Sequence, residues 1–447
     1  MKRIGWLLVL LLFPGLIASV NAQPIDNDEI LKSLAADFIE NLNRGNYTEA
    51  TAGFDSTMNT AINVEQLQQL WESLQGQFGA YQGPGGTQAD KYEQYDIIFV
   101  TMCFEKMKLD AKLVFNQARQ ISGLFFVPTP PTEPYKPPAY ADTGAFTETD
   151  IVINEGSDWA LPGTLTVPVG EGQFPAVVLV HGSGPNDRDE TIGPNKPFKD
   201  IAWGLASKGI AVLRYDKRTK VHAMKFAEVK KITVYEETVA DAVAAVELLD
   251  VAGKIDKNKI FVLGHSLGGL CLPRIGERSD KIAGLIMLAG SSRPLVDIIL
   301  EQYEYIFGLD SVISDEEQKE IDKLKMQIAV SKSDNFSENT LSDSTPMGAP
   351  AAYWLDLKNY DPVKTAQTLK IPMLILQGER DYQVTMVDFE GWQVGLKDRD
   401  NVAFKSYPNL NHLFIDGKGK AVPDEYMIPG QVDGDVIKDI SVWILSH

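Results

Sequence analysis

A serine flanked by glycines is the residue of this 447-residue chain best suited to do chemistry. Ser266 lies in the hexapeptide GHSLGG, residues 264–269, directly after the apolar run IFVL. Glycines two residues either side of a serine let a strand and a helix approach closely while the serine occupies a strained turn. The alternative is a chance match in a glycine-rich loop, but the apolar context on both sides favours a strand–turn–helix. The sequence therefore predicts Ser266 as a nucleophile.

A serine nucleophile needs an acid and a histidine, and in this strand–turn–helix arrangement they follow it in that order. Asp381 comes after an apolar run and a turn glycine, and Glu379, nearer the turn, is the alternative acid. Only His412 and His447 follow the acid, and a frayed last residue cannot hold a fixed geometry. We therefore expect Asp381 and His412 to complete a triad. A histidine on a surface loop is the alternative interpretation of His412.

Two backbone N–H groups are expected to bind the negative oxygen that forms during attack. One belongs to Leu267, the residue after the nucleophile. The other is expected in HGSGP, residues 181–185, which follows a buried strand. The preferred donor there is Ser183, with Gly182 as the second choice. His181 is interpreted as a brace for this loop rather than as a base.

These residues need a sheet that brings them to one edge, and the sequence beyond residue 140 predicts one. Short apolar strands alternate with helical segments, which is typical of a mainly parallel sheet covered by helices on both faces. A long interruption at about residues 293–360 predicts a cap that selects the substrate. The predicted strands are residues 149–154 and 164–169, an opening antiparallel pair, followed by 176–180, 210–215, 259–263, 282–288, 373–376 and 403–407.

The preceding part of the chain predicts a separate α+β domain over residues 26–128. Helical spacing of apolar residues is followed by a Gly/Pro loop at residues 82–86 and then by three strand-like stretches. This part contains no histidine, and no catalytic group is predicted in it. Six prolines between residues 128 and 138 mark the linker, placed at residues 129–140, that joins it to the predicted hydrolase domain at 141–447.

The chain begins with a pattern typical of a secretory leader. Two basic residues precede an apolar run at residues 4–13, and small residues end at Ala22. A membrane anchor is the alternative, but Pro14 and Gly15 interrupt a run that is already short. We therefore expect a signal peptide at residues 1–22, a periplasmic or extracellular location, and no membrane span after cleavage.

Charge and cysteine content narrow the classes of partner. The formal charge is −19 and becomes −21 without the two basic residues of the leader, so nucleic acid is not expected as a partner. Cys103 and Cys271 fall in different predicted domains, and two buried free thiols are expected. Neither metal-ligand spacing nor a phosphate-binding glycine pattern is present, so no cofactor is expected.

The predicted hydrolase domain resembles the α/β-hydrolase superfamily, and within it the EstD-type exported bacterial carboxylesterases. The first domain more weakly resembles small domains of nuclear-transport-factor-like type. The resemblance implies ester hydrolysis, with Ser266, Asp381 and His412 as the triad. It is carried by HGSGPND at residues 181–187, GHSLGG at 264–269, YWLDL at 353–357, LQGERDY at 376–382 and NLNHLF at 409–414.

The expected function is therefore a carboxylesterase that cleaves short- to medium-chain acyl esters through an acyl-serine intermediate. Two alternatives stay open at this point. The same triad can attack amides, which would make the chain a peptidase or amidase, since a fold alone does not fix the substrate. The chain could also be a ligand-binding protein with a secondary hydrolase activity.

Overall fold

The computed structural model describes residues 27–92, 95–129, 135–229 and 231–447. The chain divides into two compact units, Met1–Thr132 and Glu133–His447, and the boundary falls inside the proline-rich linker. The predicted leader, residues 1–22, and residues 130–134 of the linker lie outside the described residues. No helix in the described ranges combines the length and the apolar character needed to cross a bilayer.

The first unit places helices before an antiparallel sheet, which confirms its α+β class. Apolar side chains from α1 and α4, such as Phe38 and Trp71, pack with Leu113 of β3 into one buried core. The sheet order is β1-β2-β3-β4. The elements are α1 (Asn27–Arg44), α2 (Tyr47–Thr51), α3 (Ser56–Ala61), α4 (Val64–Phe78), β1 (Tyr81–Tyr92), β2 (Tyr95–Phe104), β3 (Lys108–Phe115) and β4 (Ile121–Pro128).

The Gly/Pro loop predicted at residues 82–86 is wrong, because these residues form the start of β1. The pairing with β2 shifts register between Tyr81 and Gly83 and again between Pro84 and Gly86. Strand β1 lies at the edge of the sheet, where bulges and a proline are tolerated since one side needs no partner. Gly83 and Gly86 have positive φ angles that suit such bulges.

The second unit is built on an eight-stranded sheet, and its mainly parallel character is confirmed. The strand order is β12-β11-β10-β9-β7-β8-β6-β5, in which only β6 runs antiparallel to both of its neighbours. The strands are β5 (Phe146–Ile153), β6 (Leu161–Pro168), β7 (Phe174–Val180), β8 (Ala211–Tyr215), β9 (Ile255–His265), β10 (Ile282–Leu288), β11 (Met373–Gly378) and β12 (Val402–Tyr407).

Helices cover both faces of this sheet. Successive residues of a strand point to opposite faces, so Val178 and Val262 join one core while Val177 and Leu263 join the other. The helices are α5 (Pro197–Ala206), α6 (Arg218–Val221), α7 (Ala223–Ala227), α8 (Ala240–Asp250), α9 (Leu267–Gly276), α10 (Leu295–Phe307), α11 (Asp315–Lys332), α12 (Ala351–Lys358), α13 (Pro362–Thr368), α14 (Met386–Gly395) and α15 (Gly434–Ser446).

The cap predicted between β10 and β11 consists of α10, α11 and α12, joined by loops and short 3-10 turns. Helix α11 is very polar, and it begins at a capping box formed by Ser314 and Glu317. Only Ile321, Leu324 and Ile328 carry its apolar contacts, and they are buried one turn apart. The exposed side of α11 is therefore mostly polar, with Met326 and Val330 as its exposed large apolar residues.

Both cysteines are free thiols, and they differ in burial. Cys271 lies in α9 and is buried, as expected, whereas Cys103 in β2 is only half-buried. Alternate residues of β2 point away from the helices of the first unit, which leaves Cys103 on the other face of that sheet.

Candidate active site

Ser266 occupies the turn between β9 and α9. Its φ of 53° and ψ of −116° place a non-glycine residue in a conformation that costs free energy. The turn closes because neighbouring glycines have no side chains. A Cβ added to Gly264 would lie 2.4 Å from the carbonyl oxygen of Gly268, and one added to Gly268 would lie 2.2 Å from that of Val180. The serine is therefore held on a turn that no larger neighbours would permit.

Asp381 and His412 are brought together at the carboxyl ends of β11 and β12. Nδ1 of His412 lies 2.7 Å from Oδ2 of Asp381, and both side chains are buried. The other carboxylate oxygen accepts the N–H groups of Gln383 and Val384, at 2.7 and 3.0 Å. Gln377 donates to Oδ2 at 3.2 Å. A carboxylate that only accepts hydrogen bonds suits the ionised form.

The alternative acid and the alternative histidine lie elsewhere. Glu379 is exposed, and its carboxylate accepts the hydroxyl of Ser406 at 2.7 Å. The ring of His447 packs at a tilt against that of Trp443, and its Nδ1 lies 2.8 Å from the carbonyl oxygen of that residue. The geometry therefore favours the pair of Asp381 and His412 over either alternative.

His265, the neighbour of Ser266, connects two turns: the serine turn, residues 264–269, and the histidine turn, which carries His412 after β12. Nε2 of His265 lies 2.9 Å from the backbone carbonyl oxygen of His412, and the two rings are 4.6 Å apart. Within the described chain, the hydrogen bonds at His412 go to Asp381 and His265, and none reaches the Ser266 hydroxyl. Such bonds often tighten only once substrate is bound.

The loop after β7 lies directly against the serine. A Cβ added to Gly182 would lie 3.2 Å from Cβ of Ser266, so a glycine is needed for this approach. The N–H of Gly182 donates to Oε1 of Glu190 at 2.7 Å. That bond removes Gly182, our second choice, as a free donor. In the described ranges no acceptor takes the N–H of Ser183 or that of Leu267.

Glu190 and His265 form a buried pair behind this loop. Neither residue was predicted from the sequence as part of the site. Nδ1 of His265 lies 2.9 Å from Oε2 of Glu190, although the ring N–H is not directed along that line, so the contact is an ion pair rather than a linear hydrogen bond. Burial opposes charge on both groups, but the opposite partner outweighs it. The pKa of His265 is raised and that of Glu190 is lowered.

His181 braces the loop from beneath, as interpreted from the sequence. Its ring packs against Phe198 and Tyr215, with centroids 5.1 and 5.2 Å away, and is 1% exposed. Burial lowers the pKa of His181 to about 4. A neutral ring inside an aromatic cluster supports a structural role.

A surface cavity of about 340 Å³ lies outside this site. Its lining includes Arg380, whose guanidinium is already bound to Glu425 and to backbone carbonyl groups, and it contains neither Ser266 nor His412. Among the described residues, no three His, Cys, Asp or Glu side chains converge as metal ligands.

Comparison with known families matches both units. Residues 175–416 match the family described as serine aminopeptidase, S33, and residues 35–124 match a family described as a protein of unknown function (DUF3887). Esterase EstD of Thermotoga maritima is 40% identical over 410 residues, which are 92% of this chain and 94% of the relative.

Solved structures give more distant likenesses. Est1E from Butyrivibrio proteoclasticus has a TM-score of 0.42 at 16% identity and covers 67% of this chain and 99% of its own. Dipeptidyl peptidase 4 of Porphyromonas gingivalis has a TM-score of 0.44 at 14% identity, covering 81% of this chain and 43% of its own. At this distance neither carries an argument about activity.

Proposed function

This chain belongs to the α/β-hydrolase family described as serine aminopeptidase, S33, and on that premise we propose that it is a carboxylic-ester hydrolase with Ser266 as nucleophile. One observation carries the assignment of the site. His412, held by Asp381 at 2.7 Å, is bonded through its backbone carbonyl to His265, the neighbour of a serine held on a strained turn. A histidine held by a buried carboxylate is the kind of base that takes the proton of a nucleophilic serine.

In the first half of the reaction, Oγ of Ser266 attacks the carbonyl carbon of the ester while Nε2 of His412 takes the hydroxyl proton. Asp381 holds Nδ1–H of the ring, which leaves Nε2 free to accept, and it stabilises the imidazolium that forms. The C–O bond to the alcohol then breaks, and His412 returns the proton to the departing oxygen. The products are free alcohol and an acyl group on Ser266.

The second half repeats these steps with water. His412 takes a proton from the water as its oxygen attacks the acyl carbon, and then returns it to Ser266 when the acyl–serine bond breaks. Carboxylic acid leaves and the enzyme is restored. We assign the N–H groups of Leu267 and Ser183 as the donors to the oxyanion in both halves, because both are free while that of Gly182 is occupied.

Ester preference over amide preference rests on the relative. The protein that is 40% identical is an esterase, whereas the family description names an aminopeptidase. Matched nitrophenyl esters and aminoacyl nitroanilides with the same acyl group separate the two activities. Comparable or higher kcat/KM for the anilides would contradict the ester assignment. We place the preferred esters in the short- to medium-chain range, which a chain-length series tests.

The test of the nucleophile is covalent labelling. A fluorophosphonate probe is expected to modify Ser266, as identified by peptide mass spectrometry. Ester hydrolysis should fall in proportion to the fraction of protein labelled. Ser266→Ala should remove both labelling and turnover, while Ser292→Ala, a serine outside the proposed triad, should leave both intact. Labelling at another serine with Ser266 unmodified would contradict the assignment of Ser266 as the nucleophile.

Export remains a proposal that rests on the leader-like pattern at residues 1–22. Expression of the full chain in a bacterium, followed by N-terminal sequencing of the fractionated product, tests it. Cleavage after Ala22 in the periplasmic or secreted fraction is expected. An intact Met1 in the cytoplasmic fraction would contradict export.

A further inference from the structure

A lysine is buried directly behind the loop after β7, residues 181–185, which we call the oxyanion loop because it carries the Ser183 N–H. Lys217 follows β8, and its side chain is 2% exposed. Its Nζ donates to Oε1 of Glu237 at 2.6 Å and to the carbonyl oxygen of Gly182 at 2.8 Å. Glu237 lies in a single π-helical turn, Tyr235–Val239, a local distortion that is frequent at functional sites. A buried ammonium is costly to desolvate, so its place needs a reason.

The carbonyl that Lys217 holds belongs to the peptide group whose N–H is that of Ser183. Because a trans peptide is planar, its carbonyl and its N–H point in opposite directions. Fixing the Gly182 oxygen on Lys217 therefore directs the Ser183 N–H away from the lysine. Asn186 donates to the same oxygen at 3.2 Å, and Glu190 accepts the N–H of Gly182. Both polar atoms of Gly182 are thus engaged by buried charges.

We propose that Lys217 is a positioning residue that orients and polarises the Ser183 N–H through the carbonyl oxygen of Gly182. A charge-assisted bond to a carbonyl draws electron density out of the peptide group and makes its N–H a stronger donor. The inference rests on the proposed function, in which Ser183 binds the oxyanion formed at Ser266. It adds a residue that never touches substrate but acts on the transition state.

The neighbouring residue offers a matched control. Arg218 forms an equally buried pair with Asp241, with Nε 3.0 Å from Oδ2, and Asp241 also accepts from Asn154. No contact described for Arg218 reaches Gly182. The two ion pairs therefore share burial and location but differ in the contact with the oxyanion loop.

The experiment compares Lys217→Met with Arg218→Met, at a temperature where both remain folded by circular dichroism. It measures kcat and KM with nitrophenyl butyrate and the inhibition constant of an alkyl trifluoromethyl ketone, which forms a tetrahedral adduct with an active serine. Loss of a whole oxyanion donor costs about 10²–10³ in kcat, so weakening one is expected to cost about 10–100-fold. Lys217→Met should lower kcat and ketone affinity by this factor with KM within about twofold, while Arg218→Met changes neither.

A second variant covers the case in which Lys217→Met does not fold. Asn186→Ala removes a neutral donor from the same carbonyl at a half-buried position and should lower kcat and ketone affinity together, by a smaller factor. Equal kcat and ketone affinity in Lys217→Met and Arg218→Met would overturn the inference, as would an unchanged Asn186→Ala if Lys217→Met is lost. Failure of the proposed function is distinguishable, because the wild-type protein would then neither bind the ketone nor label at Ser266.

Discussion

Nε2 of His265 lies 2.9 Å from the backbone carbonyl oxygen of His412, so the residue before the serine is bound to the turn that carries the proposed base. The other ring nitrogen of His265 faces Glu190, which in turn accepts the N–H of Gly182. One buried path therefore joins the serine turn, the histidine turn and the oxyanion loop. These buried side chains therefore link the positions of the three segments.

Breaking this path at His265 should cost both stability and turnover. His265→Leu leaves the Glu190 carboxylate buried without its partner, and loss of one member of a buried pair typically costs about 3–5 kcal/mol. Urea unfolding gives the free energy, and ester turnover at low temperature gives kcat. His265→Gln, which can still donate to the His412 carbonyl, should lose less of each. Unfolding within 1 kcal/mol of wild type for the leucine variant would refute the coupling.

Acid sensitivity should trace in part to His181. Its folded-state pKa is lowered to about 4, so the folded protein binds its proton less readily than the unfolded chain. The sign follows: the contribution of His181 to stability is fully present above about pH 6.5 and is lost as pH falls towards 4. His181→Phe keeps an aromatic ring between Phe198 and Tyr215 and removes this loss, about 3 kcal/mol at most.

The measurement is urea unfolding of wild type and His181→Phe from pH 7.5 to pH 4. The difference between the two free energies of unfolding should grow in favour of the variant as pH falls through this window. His447→Gln, at the exposed C-terminus, is the control and should follow the wild-type curve. Parallel curves for wild type and His181→Phe would exclude a buried neutral histidine.

Alanine should be tolerated far less well at Gly268, in GHSLGG, than at Gly276, a glycine of the same helix. A Cβ on Gly268 meets the Val180 carbonyl at 2.2 Å, and backbone cannot move aside as a side chain can. Gly268→Ala should therefore destabilise the protein by at least about 1–3 kcal/mol and abolish fluorophosphonate labelling. Gly276 ends α9, where an added Cβ meets only side-chain methyl groups, of Leu285 and Leu369, at 3.1 Å.

Gly276→Ala is accordingly the control for that experiment. It should keep full labelling and change stability by no more than about 1 kcal/mol. Thermal unfolding and labelling rates are measured side by side for both variants. Normal labelling of Gly268→Ala would show that the turn is looser than its contacts indicate.

Substitution of the two acids near β11, Asp381 and Glu379, should give kcat values that differ by several orders of magnitude. Asp381→Asn replaces the oxygen at Nδ1 of His412 with an amide, which favours the wrong ring tautomer and typically lowers kcat about 10⁴-fold. Glu379→Gln alters an exposed contact with Ser406 and should leave kcat within about twofold. Turnover of nitrophenyl butyrate measures both, and the reverse ranking would assign the role to Glu379.

The sequence predicted the parallel sheet well because buried strands leave a local signature. The stretch 282–288 was predicted with its observed bounds, and Ser266 stands where the strand–turn–helix pattern placed it. Strand β1 was missed because Gly83 and Pro84 signal a turn locally, whereas pairing with β2 determines their conformation. Propensity alone carries no information about that partner.

The buried ion pairs were beyond sequence reasoning for a different reason. Lys217 and Glu237 are twenty positions apart, and each alone is typical of a solvated surface. Only the fold shows that both side chains are buried and that Lys217 contacts the Gly182 carbonyl. The occupied N–H of Gly182 is equally a product of tertiary contact with Glu190.

The glycines of the serine turn lie directly against the backbone of neighbouring segments. Gly264 faces the Gly268 carbonyl, and Gly269 faces the backbone of Gly290, so no rotamer is available there to absorb a change. Helix α11 of the cap, by contrast, has mostly exposed side chains and only a few buried apolar ones. The cap can therefore accept substitutions that the serine turn cannot. A randomised library built for new esters should diversify residues 295–358 and leave 264–269 untouched.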